Sequence, residues 1–125
     1  MAASAEPVAA TRVVILADDL IWSFRLSEAV TLAGGAPARA RRIGDLERLL
    51  ADGVGHAVVD LTALAYDGIE AIATASRAGA RVLAVGQHDD LELRKRALAA
   101  GADRVLAYRK LFEAGATVLS AWLRP

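Results

Sequence analysis

With no cysteine among its 125 residues, the chain can form neither a disulfide nor a thiolate metal centre. Its two histidines, His56 and His88, are too few for a conventional zinc site. They read as a strand-opening residue and a loop residue, surface or capping groups rather than ligands. No apolar run approaches the roughly 20 residues a membrane-spanning helix needs. Met1 to Thr11 has no cationic start followed by an apolar core, as a secretory signal would, so a cytoplasmic location is expected. Neither sign of charge is in excess: Lys plus Arg and Asp plus Glu both number 15. Nothing global therefore favours nucleic acid or an anionic membrane. Glycine-rich phosphate loops are missing too, because Gly34-Gly35 and Gly53-Val54-Gly55 fit helix stops and turns and match no dinucleotide or phosphate-loop pattern.

What is present is a hydrophobic content of 55%, ample for one packed core at this length. Residues 1–11 read as a frayed, Ala-rich leader and residues 12–125 as a single domain. Val13 to Ala17 forms a first strand, followed by a helix from about Leu20 to Ala33 carrying Leu20, Trp22, Phe24, Leu26, Val30 and Leu32, with Gly34-Gly35 as its stop. Pro37 to Ile43 alternates alanine with arginine and suits an edge strand. Asp45 is placed to cap a helix bearing Leu46, Leu49 and Leu50. A strand from His56 to Leu61 precedes a helix marked by Ile69, Ile72 and Ala73 that closes at Gly79. Arg81 to Val85 is a fourth strand, and Asp89 or Asp90 caps Leu91 to Ala100, which Gly101 stops. Val105 and Leu106 mark a fifth strand, and Leu111, Val118, Leu119 and Trp122 a last helix that ends near Pro125, leaving no room for an output domain. Five β/α units with right-handed crossovers give a doubly wound α/β sandwich of three layers around a parallel sheet.

Asp18 and Asp19 close the first strand and Asp60 closes the third. In a parallel sheet the carboxyl ends of the strands form the crevice where such proteins place their chemistry, so the three carboxylates are expected in one acidic, cation-attracting pocket. A purely structural role stays open for Asp18 and Asp19, since aspartate is a favoured N-cap and complements the helix dipole.

The adjacent acidic pair, the Asp after the third strand, Asp67-Gly68 beyond it and Gly101-Ala102-Asp103 before the fifth strand together resemble a response-regulator receiver domain, CheY-like and flavodoxin-like, over about Arg12 to Leu123. The resemblance implies strand order 2-1-3-4-5 and a place in two-component signalling or a phosphorelay. It makes Asp60 the phosphoacceptor and gives Mg²⁺ the ligands Asp18, Asp19, Asp60 and the backbone carbonyl of Thr62. Hard oxygen donors suit that ion. It also implies a partner or homodimer surface on the fourth helix, fifth strand and fifth helix, onto which Arg94, Lys95, Arg104 and Glu113 map. A histidine kinase or an output protein would be the partner.

The chain departs from the family pattern at three places. Gly86 stands where the family has Ser or Thr, Tyr108 stands where it has Lys with Arg109 at the following Pro, and Leu64-Ala65 replaces a common Pro-Gly. Gln87, His88, Arg109 and Lys110 are the nearby groups that would have to substitute. Losing one donor aimed at developing charge costs about 3 to 4 kcal/mol of transition-state stabilisation. The expectation is therefore a stand-alone receiver-like signalling module with a degenerate, pseudo-receiver site that acts by protein binding. A phosphorylatable regulator using Asp60 with Mg²⁺, and an α/β domain that binds a small ligand, are the alternatives.

Overall fold

The computed structural model describes residues 10–87 and 89–124. Most of the proposed leader, His88 and Pro125 lie outside the described residues. Five strands, β1 (Thr11–Leu16), β2 (Gly35–Ala40), β3 (His56–Asp60), β4 (Arg81–Gly86) and β5 (Arg104–Ala107), alternate with five helices, α1 (Leu20–Leu32), α2 (Ile43–Ala51), α3 (Gly68–Arg77), α4 (Leu91–Ala100) and α5 (Tyr108–Leu123). The strands are all parallel, in the order β2-β1-β3-β4-β5.

Side chains alternate across each strand, so the sheet builds two cores. Val13, Ile15, Val58, Leu83, Val85 and Leu106 face α1 and α5, where Leu26, Val30, Leu111, Leu119 and Trp122 meet them. Val14, Leu16, Val59, Val82, Ala84 and Val105 face α2, α3 and α4, with Leu46, Ile72, Ala75 and Ala97. Burial on both faces explains why these strands read as unbroken apolar runs rather than as an alternation with polar residues.

Several boundaries move from where the sequence placed them. Thr11, assigned to the leader, is the first residue of β1 and pairs in register with Gly35. β2 spans Gly35–Ala40 rather than Pro37–Ile43, because only Gly34 (φ 95°) serves as the stop of α1. Gly35 is already strand, pressed so close to Val30 that a Cβ there would lie 2.8 Å from its Cγ1. The edge position expected for this strand is observed. Arg42, not Asp45, is the N-cap of α2; Asp45 sits inside the first turn and reaches back, its Oδ2 accepting from the backbone N–H of Arg41 (3.1 Å) and Arg42 (3.3 Å). Those hydrogen bonds, that of Arg41 foremost, lower the pKa of its carboxyl. β3 stops at Asp60, one residue short of Leu61. In α1 the buried stripe is Ser23, Leu26 and Val30, whereas Leu20, Phe24 and Leu32 face outward. Of the two caps offered for α4, Asp90 accepts from the N–H of Leu93.

Candidate functional site at the carboxyl edge of the sheet

Asp60 is 1% exposed at the end of β3, the one buried carboxylate among the described residues. Its Oδ1 accepts from the Thr62 backbone N–H (3.0 Å), from Thr62 Oγ1 (2.9 Å) and from the Tyr108 hydroxyl. The Thr62 and Tyr108 hydroxyls are themselves 2.6 Å apart. Tyr108 begins α5 directly after β5, so its ring leans back over the strand ends and packs on Trp22, with ring centroids 4.1 Å apart. Burial, and then the hydrogen bond to Asp60, push the Tyr108 hydroxyl well above its ordinary pKa. It therefore stays protonated at neutral pH and acts as a donor to the carboxylate.

The acidic pair divides its work. Asp19 N-caps α1, with Oδ1 accepting from the Trp22 N–H at 2.9 Å. Asp18 turns the other way, and its Oδ2 accepts from the N–H groups of Leu64 (2.8 Å) and Ala65 (2.9 Å), tying the β3–α3 loop to the end of β1. Asp18, Asp19, Trp22, Asp60, Thr62 and Leu64 line one open concavity of about 410 Å³. The expected convergence of the three aspartates thus holds at the level of a shared pocket. Among the described residues, however, no three His, Cys, Asp or Glu side chains stand close enough together to form a ready-made metal cluster. The donor chemistry still fits a hard divalent cation, since each aspartate commits a single oxygen to these hydrogen bonds.

Two residues that the sequence reading did not single out complete the floor. The Tyr66 hydroxyl lies 2.8 Å from the carbonyl oxygen of Leu16 and 2.7 Å from that of Asp60, and its one proton bridges the ends of β1 and β3. Leu61 fills the space beside both glycines of the site. A Cβ on Gly86 would lie 3.3 Å from Leu61 Cδ1, and one on Gly68 would lie 3.1 Å from Leu61 Cδ2. Asp67, next to Gly68, N-caps α3 by accepting from Ile69 and Glu70.

Three of the four candidate substitutes for the missing lysine lie elsewhere, and the fourth, His88, is outside the described residues. Arg109 is exposed and pairs with Glu113 at 3.4 Å, Lys110 is exposed, and Gln87 lines a separate small cavity with Gly86 and Arg94. On the expected partner surface, Arg94 donates to the Val105 carbonyl (3.1 Å) and staples α4 to β5, while Lys95 and Arg104 are exposed. Tyr108 was legible only as a lost charge; the hydroxyl at the tip of its ring was the signal that a donor remained.

No protein-family model matches the chain, and no curated protein matches it. Solved structures do. The signal receiver domain of the response regulator NarL from Mycobacterium tuberculosis is similar at TM-score 0.74 and 21% identity, over 93% of this chain and 94% of that one. The response-regulator domain of Thermotoga maritima CheB is similar at TM-score 0.75 and 16% identity, over 90% and 92%. A Burkholderia pseudomallei response regulator with a phosphorylated aspartic acid and a calcium ion is similar at TM-score 0.69 and 20% identity, over 90% and 72%. With its strand order and its acidic pocket at the carboxyl edge, the chain has the doubly wound fold of response-regulator receiver domains.

Proposed function

We propose that the chain is a receiver-like signalling module that works by binding another protein, with Asp60 held by a neutral tyrosine instead of being set up for phosphoryl transfer. The observation that carries this reading is the Tyr108 hydroxyl on Asp60 Oδ1. An acceptor carboxylate needs a cation to offset the charge of the incoming group. Here three donors converge on one oxygen, and none of them carries a positive charge. Gly86 contributes no hydroxyl, and Leu61 occupies the space beside it. The exposed basic edge of Lys95 and Arg104 is the surface we assign to the partner, an acidic protein face being its electrostatic complement.

Asp18, Asp19, Asp60 and the Thr62 carbonyl would hold Mg²⁺, which would lessen repulsion between the carboxylates and an incoming anion. The Burkholderia neighbour, with its phosphorylated aspartate and calcium ion, is what keeps the phosphorylatable reading in play. Trp22, packed on Tyr108 and lining the pocket, reports on the difference. In a Trp122→Phe background, Trp22 fluorescence is titrated with Mg²⁺ and then with beryllofluoride, an acyl-phosphate mimic. The expected result is no saturable response to beryllofluoride. A saturable response to both additions that vanishes in Asp60→Asn would establish a working phosphoacceptor and overturn the proposal.

A further inference from the structure

Helix α1 buries Ser23 and leaves Leu20, Phe24 and Leu32 at 71%, 60% and 73% exposure. With Glu28 these residues recur every fourth position, so they form one stripe along the helix. From Leu20 to Leu32 it runs about 18 Å at 1.5 Å per residue. Beside it, Phe112 of α5 is 59% exposed, and a groove of about 580 Å³ separates the two helices, lined by Phe24, Glu28, Ala29, Leu32, Phe112 and Gly115. The Arg25 guanidinium lies over the Phe112 ring at 5.0 Å. Among the described residues neither Arg25 nor Glu28 has an ion-pair partner.

We propose that this face binds a second copy of the chain, with the two α1 helices antiparallel. The stripe is its own complement. Leucines stand at both ends, and Phe24 and Glu28 lie at equal distances from its midpoint. An antiparallel pairing that sets Leu20 against Leu32 of the second copy brings Phe24 over that copy's Glu28, at the mouth of the groove lined by Glu28, Ala29 and Leu32. Arg25, next to Phe24, then meets the second copy's Glu28, and both unpaired charges are matched. A twofold contact requires such a self-complementary patch, in which each copy supplies both halves of every interaction. The exposed apolar side chains supply the driving force, and the charge pair sets direction and register. The pairing uses a different face from the basic edge of α4 and β5, leaving that edge free for another partner, and it does not depend on the state of Asp60.

Sedimentation velocity over a concentration series tests it, with circular dichroism melts to confirm that each variant folds. The wild type is expected to move from the 13.1 kDa monomer toward twice that mass as concentration rises. Phe24→Asp should weaken association at least about tenfold, equivalent to 1.4 kcal/mol. Arg25→Glu and Glu28→Arg should each weaken it, and the double charge swap should restore it. A wild type that stays monomeric into the millimolar range would overturn the proposal. So would a dimer that ignores Phe24→Asp but dissociates with Arg104→Glu, or a double swap that fails to recover association.

Discussion

A lysine at the end of β5 would bring a positive charge to the pocket; Tyr108 brings a neutral hydroxyl on a rigid ring, anchored by Trp22 on one side and Asp60 on the other. The difference is chemical as well as electrostatic, because a phenol donates to a carboxylate yet cannot neutralise a phosphoryl group. Tyr108→Phe keeps the ring against Trp22 and removes only the donor. With Asp60 buried, the variant should lose about 1 to 3 kcal/mol of stability, read as a lower urea midpoint at unchanged slope. An unchanged midpoint would mean that the hydroxyl does not hold the carboxylate. The aspartates were legible in the sequence because their place at strand ends follows from topology. Tyr66 and Leu61 were not, because what they touch depends on the path of the β3–α3 loop, which no periodicity encodes.

At the scale of elements, helix caps and strand starts turn on positions where a side chain will not fit. Gly101 ends α4 at φ 118°, and a Cβ there would lie 2.3 Å from Ser76 Oγ. Gly53, which follows α2 at φ 92°, faces open space. Both substitutions to alanine incur the left-handed backbone cost of about 1 to 2 kcal/mol. Gly101→Ala alone also drives a methyl group into α3, so it should lower the thermal midpoint distinctly more than Gly53→Ala, and equal effects would refute the steric account. The same logic explains the shift of β2. The Gly34-Gly35 pair reads as one stop signal, but the close approach of Val30 divides it into a turn residue and a strand residue. In α2, aspartate reads as a cap wherever it precedes leucines, yet Asp45 performs that service from inside the first turn.

Across the whole molecule, the end of α5 is fastened to the amino edge of the sheet, opposite the acidic pocket. Arg81 donates to the carbonyls of Trp122 (2.6 Å) and Arg124 (3.1 Å), and His56 packs edge-on against the Trp122 ring at 5.1 Å. The His56 Nε2 atom is buried without a partner. Burial, reinforced by the Arg81 charge and only partly offset by Asp103, lowers the His56 pKa below its ordinary value of 6.5. Below about pH 6.5 the unfolded chain therefore takes up a proton that the folded ring resists. Stability should fall as the pH drops from 7.5 toward 5.5 and level off once the folded ring itself is protonated. In His56→Gln this slope should flatten, as followed by thermal melts across that window; an identical slope would assign the effect to other groups.

The order of elements, the parallel sheet and the gathering of Asp18, Asp19 and Asp60 at one edge were determined by the sequence itself. Apolar runs of strand length, helical spacing and turn residues are local signals, and right-handed crossovers leave few ways to connect them. The tertiary structure alone decided which face of α1 is buried, that Arg109 and Lys110 stay outside the pocket, and that Tyr108 reaches Asp60. Those outcomes depend on the packing of side chains from segments as far apart as β1 and α5, whose approach is set by the volume of the whole core rather than by any spacing along the chain.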